Sequence, residues 1–162
     1  AAKIIGVSDV EFLDFPDNEM DTVSNLQVTK SIEKIIEKFH PDIVYTHSQN
    51  DVNIDHRIIH DATITATRPT SKISIKCVYS FEIPSSTEWY FKSPFSPNVF
   101  VDISKELPKK IKALEAYKSE LRKYPHPRSK EGLECVAKRW GTVSGFNAAE
   151  AFCLIREIKN KL

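Results

Sequence analysis

Pro41 is followed by a run of β-branched and aromatic residues, Asp42-Ile43-Val44-Tyr45-Thr46, too short for a helix and too apolar for a surface loop. It reads as a buried strand. Before it, Leu26 to Phe39 sets Leu26, Val28, Ile32, Ile35, Ile36 and Phe39 at helical spacing, with Lys and Glu on the opposite side. After it comes a polar stretch, then Arg57 to Thr67, a helix that Pro69 stops. With strands also expected at Val10–Phe15 and Ile73–Ile83, the order strand, helix, strand, helix, strand is the pattern of a parallel sheet covered by helices on both faces. In such sheets a ligand sits at the carboxyl ends of the strands.

The rest of the chain extends that alternation. Ala1 to Gly6 reads as the last turn of a helix, with Gly6 ending it. Val10 to Phe15 is expected to be a short strand, Ile73 to Ile83 a longer one, and Asn98 to Ile103 another. Ser104 is expected to cap a long amphipathic helix reaching about Lys123. Pro125-His126-Pro127 breaks the chain before a helix from Ser129 to Trp140, and Ala148 to Ile158 is expected to form the last helix. No linker or repeat interrupts the chain, so residues 1–162 read as one domain.

Composition narrows the function classes. Twenty-three basic against 22 acidic side chains leave a formal net charge of +1, which argues against a nucleic-acid or membrane-surface binder working by bulk charge. No apolar run is long enough for a membrane span. Cys77, Cys135 and Cys153 are odd in number and widely spaced, which fits reduced thiols in a cytoplasmic protein. No phosphate-cradling GxxxxGK[ST] run and no GxSxG elbow occurs.

The densest chemistry lies between His47 and Arg57, where His47, Asp51, Asn53, Asp55, His56 and Arg57 follow the central strand. Asp55 stands before His56, can cap the next helix, and leaves His56 projecting from its first turn as a neutral imidazole suited to Zn²⁺. His60 shares a helix face with His56, but HxxxH without the glutamate of HExxH is a weak metal motif. A capped helix bearing surface histidines is the plainer alternative. Asp14, Asp17, Glu19 and Asp21 put four acids in eight residues, enough to meet sugar hydroxyls or a cation, or simply to form a solvated turn. Tyr124-Pro125-His126-Pro127-Arg128-Ser129 holds His126 and Arg128 in an extended segment, either to present them to a site or as an interhelical turn.

Four stretches carry a resemblance that spans almost the whole chain: GVSDVEFLDFPDNEMDT, PDIVYTHSQNDVNIDHRIIHDA with TATRP after it, YPHPRS, and the closing RWG with AEAF. In this order they resemble the PIG-L/LmbE-like zinc-dependent N-deacetylases, which remove acetyl groups from N-acetylated amino sugars and their conjugates. The resemblance implies a three-layer α/β/α Rossmann-like fold with a mostly parallel sheet. Family members open with an AHPDD-type motif whose His and second Asp bind zinc and whose first Asp is the general base. No such motif occurs in these 162 residues, so the sheet is expected to lack its first strands and helices.

Carried over residue by residue, the resemblance makes His56 a zinc ligand. Asn53 stands where many members have the first His of HxDH, two residues before Asp55. An amide donates a hydrogen bond but supplies no titrating proton, so His126 is a candidate to take that catalytic part. Asp17, Arg57 and Arg128 are the implied substrate contacts. The implied reaction is zinc-dependent hydrolysis of an N-acetyl sugar. One histidine does not hold a catalytic zinc, so these residues alone are expected to bind zinc weakly and to be inactive. Two other readings fit the same residues: a non-catalytic sugar or nucleotide-sugar binding domain, and a glycosyltransferase-like domain using Asp14 and Asp17. A sheet short of its first strands would expose an edge, for which a homo-oligomer is one cover.

Overall fold

The computed structural model describes residues 1–70 and 75–159. They form a mixed α/β fold with five helices and a four-stranded sheet in the order β1-β2-β4-β3. The helices are α1 (Ala2–Ile5), α2 (Asn25–Phe39), α3 (Ile54–Ala66), α4 (Leu107–Glu115) and α5 (Lys130–Ser144). The strands are β1 (Ile43–His47), β2 (Cys77–Phe81), β3 (Val99–Asp102) and β4 (Ala149–Glu157). The chain divides into two compact units: residues 1–12 with 99–151, and residues 13–98 with those from 152 on. Among the described residues no helix is long and apolar enough to cross a membrane.

The second unit is built on β1 and β2, which run parallel with Tyr45 opposite Tyr79 and His47 opposite Phe81. β4 pairs with β2 in the antiparallel sense, Phe152 opposite Phe81. The sheet is therefore mixed, not the mostly parallel one expected. Val44 and Val78 point to one face, where they pack with Ile36 of α2, Ala66 of α3 and Ile75. Thr46 shares that face and its hydroxyl meets Thr63 of α3 at 3.2 Å. A second apolar cluster, Met20, Val28 and Ala62, joins α2 and α3 to the 15–23 segment. The other face carries an aromatic ladder: Tyr45 stacks on Tyr79 at 5.3 Å between centroids, and His47 packs on Phe81 at 5.2 Å. Alternation along β1 thus delivers His47 to the carboxyl end of the strand on the aromatic face.

Local chemistry places the helix ends. Ser24 caps α2 by accepting the Gln27 N–H, and His40 ends it in the left-handed region, directly before Pro41. Ser129 caps α5 through the Gly132 N–H, and Gly145 ends it at φ 81°.

Three expected elements are corrected. Val10 to Phe15 forms no strand; Phe12 is 83% exposed, and only Phe15 turns inward, against the Met20 cluster. Ser104 caps no long helix: its hydroxyl donates to the Asp102 carboxylate, and its oxygen accepts the Ala148 N–H at 3.2 Å rather than an N–H of the following helix. The helix that follows covers only Leu107–Glu115, and Tyr117 beyond it is 54% exposed, so the apolar stripe has nothing left to bury against. Ala148 to Ile158 is the strand β4, not a helix. Its Ala, Glu and Leu residues favour a helix, but the hydrogen-bonded ladder with β2 overrides that preference. The expected strand over 73–83 is observed at Cys77–Phe81, with residues 73 and 74 lying outside the described residues.

Candidate functional site around His56

The site grows from the end of β1 and the start of α3. Asn53 is the N-cap of α3: its side-chain oxygen accepts the Asp55 N–H at 2.8 Å, and its amide nitrogen donates to Asn18 Oδ1 at 3.2 Å. Asp55, expected to be the cap, lies one position inside the helix start and is only 7% exposed. Its carboxylate reaches outward instead, accepting the Asn18 N–H at 2.6 Å and the Met20 N–H at 3.0 Å. Asn18 takes a φ of 57°, a conformation asparagine tolerates better than most residues. Asn53 and Asp55 together hold the acidic turn that contains Asp17 against the first turn of α3. Arg57 folds back, and its Nη1 donates to the carbonyls of Asp51 at 2.6 Å and Val52 at 3.1 Å.

Asp51 is the centre of the arrangement, and it is 0% exposed. Oδ1 accepts the Asn53 N–H at 2.8 Å and the Ser86 hydroxyl. Oδ2 accepts the Thr87 hydroxyl at 2.7 Å and faces His56 Nδ1 at 3.1 Å. Burial on its own would push this carboxyl up. The hydrogen bonds from His56, Ser86, Thr87 and the Asn53 amide outweigh it and hold the group down at about 2. An ionised carboxylate only accepts, so neutral His56 carries its hydrogen on Nδ1 and its Nε2 lone pair is free. A carboxylate behind an imidazole in this way is the arrangement that orients metal-ligating histidines.

His47 lies flat against His56, the rings 4.4 Å apart and 15° from parallel. Burial, and then the neighbouring His56, lower its pKa from 6.5 to about 4, so it is neutral at pH 7. Behind it, His60 Nδ1 lies 2.8 Å from the His47 carbonyl, which can only accept, so His60 carries hydrogen on Nδ1.

The structure gathers Asn53, Asp55, His56 and Arg57 at one helix start, with the turn bearing Asp17 tied to it. His126 and Arg128 belong to the first unit. There His126 Nδ1 accepts the Arg128 N–H at 3.0 Å, and Arg128 pairs with Glu120. Sequence reasoning set Asp51 within the right stretch but gave it no part. It gave no sign of Ser86 and Thr87, which are distant in sequence and resemble any other loop hydroxyls. Among the described residues no three His, Cys, Asp or Glu side chains gather into a set able to hold a metal ion. A catalytic zinc takes three protein ligands, so these residues do not complete a zinc site.

No curated protein matches the chain. Its fold is similar to three solved structures at 18–21% identity. The conserved protein TT1542 from Thermus thermophilus is 18% identical with a TM-score of 0.79, over 99% of this chain and 71% of that one. GalB, the 4-carboxy-2-hydroxymuconate hydratase from Pseudomonas putida, is 21% identical with a TM-score of 0.70, over 99% and 70%. The N,N'-diacetylchitobiose deacetylase of Pyrococcus horikoshii is 21% identical with a TM-score of 0.76, over 95% of this chain and 60% of that enzyme. At these identities the likeness is one of fold. The family model of the GlcNAc-PI de-N-acetylases matches residues 1–67, a span that contains Asn53, Asp55, His56 and Arg57. That match makes residues 1–67 similar to the PIG-L family.

Proposed function

We propose that the chain serves hydrolysis of an N-acetyl group on an amino sugar or its conjugate, with His56 as a ligand to Zn²⁺ whose other ligands lie outside the described residues. The observation that carries this reading is the Asp51–His56 pair: a buried carboxylate on Nδ1 leaves Nε2 as a lone pair of fixed direction, inside the segment that the PIG-L model matches.

In such a hydrolysis water adds to the acetyl carbonyl, the C–N bond of the tetrahedral adduct breaks, and acetate leaves while the amine takes a proton. The residues of this chain supply orientation. Asp51 fixes the ring of His56. His47 stays neutral against it and adds no positive charge beside a cation site. Asp55 and Asn53 hold the turn on which Asp17 is offered to sugar hydroxyls. Arg57 ties down the backbone of residues 51 and 52, so that Asp51 does not drift from the imidazole.

The test is acetate release from N,N'-diacetylchitobiose and from GlcNAc-PI by the product of the complete coding region. His56→Ala is expected to lower turnover by more than the about 10–100-fold that loss of a partner behind a metal ligand costs. Turnover equal to the parent would remove His56 from the site.

A further inference from the structure

The carboxylate that orients His56 is itself held from a distant part of the chain. Thr87 is buried at the start of a short 3-10 turn, Thr87–Trp89, and Ser86 immediately precedes it. Both hydroxyls donate to Asp51, Ser86 to Oδ1 and Thr87 to Oδ2 at 2.7 Å. The Ser86 oxygen also lies 3.4 Å from His56 Nδ1. The turn holds these hydroxyls in place through its own bonds. The Glu88 carboxylate accepts the N–H groups of Ser85 at 2.6 Å and Ser86 at 2.9 Å. The Thr87 oxygen accepts the Ile83 N–H at 2.7 Å, which leaves its single hydrogen to point at Asp51. The Thr87 N–H returns to the Ile83 carbonyl at 3.0 Å.

We propose that Ser86 and Thr87 are positioning residues: through Asp51 they fix the ring orientation of His56 and keep its hydrogen on Nδ1. With the Asn53 N–H and the Ser86 hydroxyl on Oδ1, and the Thr87 hydroxyl on Oδ2, the one acceptor direction left on the carboxylate faces His56 Nδ1. Removing either hydroxyl frees a lone pair that Asp51 satisfies by rotating, and the bond to His56 loosens. The value of this device for catalysis rests on the reading of His56 as a metal ligand. The tautomer itself does not, and it is measured without metal.

The experiment uses the product of the complete coding region, labelled with ¹⁵N, stripped of metal by chelator and held above the ordinary imidazole pKa. Two-bond ¹H–¹⁵N spectra of the ring report the tautomer of His56, assigned by its loss in His56→Gln. The parent is expected to show the Nδ1–H form. Thr87→Val and Ser86→Ala are each expected to lower the ratio of Nδ1–H to Nε2–H by about tenfold, the weight of one hydrogen bond to a charged group. Thr87→Ser keeps the hydroxyl and is expected to restore the parent spectrum, which a loss of packing alone would not. Thr87 also serves the Ile83 N–H, so Thr87→Val is at risk of misfolding; Ser86 makes no such bond to a neighbour, and Ser86→Ala then carries the test. An unchanged Nδ1–H form in folded Ser86→Ala or Thr87→Val overturns the proposal. A parent that shows the Nδ1–H form but releases no acetate would contradict the deacetylase reading and leave this one standing.

Discussion

An imidazole pressed between an aromatic ladder and a second imidazole limits how acid the solution can become before the fold weakens. His47 is that residue. Its pKa falls from 6.5 to about 4 on folding, through burial first and the nearness of His56 second. Between those values the unfolded chain binds a proton that the folded chain does not. Stability is therefore untouched above pH 6.5, falls as the pH drops through this window, and levels off near pH 4. The loss is at most about 3 kcal/mol by the usual conversion of pKa shifts. Asp51 acts lower down: its contribution is present above its unfolded value of 3.8 and is lost as the pH falls toward about 2. Urea midpoints measured across pH are expected to slope between 6.5 and 4 in the parent and to flatten there in His47→Gln. A parent profile already flat in that window would contradict the assignment. At this scale the place of His56 at the start of α3 is legible in sequence because the residues around it are contiguous. Asn53 and Asp55 were legible as neighbours, but their work in tying down the 18–20 turn was not, since both partners of that tie look like ordinary loop residues.

Helix α5 shows what the elements demand of single positions. It starts beneath the segment that carries His126, so closely that a Cβ on Gly132 would stand 2.7 Å from the Pro127 carbonyl oxygen and 2.9 Å from that of His126. Those contacts are with backbone and cannot be relieved by a rotamer change. Gly132→Ala is expected to destabilise the protein by about 1–3 kcal/mol, the usual range for overpacking, although alanine is the better helix former. Thermal unfolding of the variant measures this, and a gain in stability would show that the start of α5 gives way. Elements were legible where burial and periodicity agree. α2 repeats one stripe along its length, and the expected Leu26–Phe39 differs from the observed Asn25–Phe39 by one residue. β4 reads as a helix in sequence because its apolar run is almost continuous and its composition favours a helix; only pairing with β2 decides it. The long helix expected after Ser104 fails because the Ser104 oxygen accepts the Ala148 N–H instead of a helix N–H and the stripe runs out of partners at Glu115.

Across the whole chain, the alternation of helix and strand announces an α/β sheet, and the PIG-L resemblance agrees with the family model that matches residues 1–67. The antiparallel arrival of β4 was not legible, because strand direction depends on the path of the chain between β2 and β4 and leaves no mark in either run. The same holds for the site. The stretch from His47 to Arg57 showed where chemistry would lie, but the network that gives Asp51 its hold on His56 closes over 35 residues of sequence, through Ser86 and Thr87. The central claim is that this network prepares His56 to bind a metal. Zinc content after dialysis, measured on the product of the complete coding region, tests it most directly. The parent is expected to retain about one zinc per chain and His56→Ala to lose it, as removal of one of three ligands requires. Zinc retained equally by both proteins, or by neither, would contradict the account.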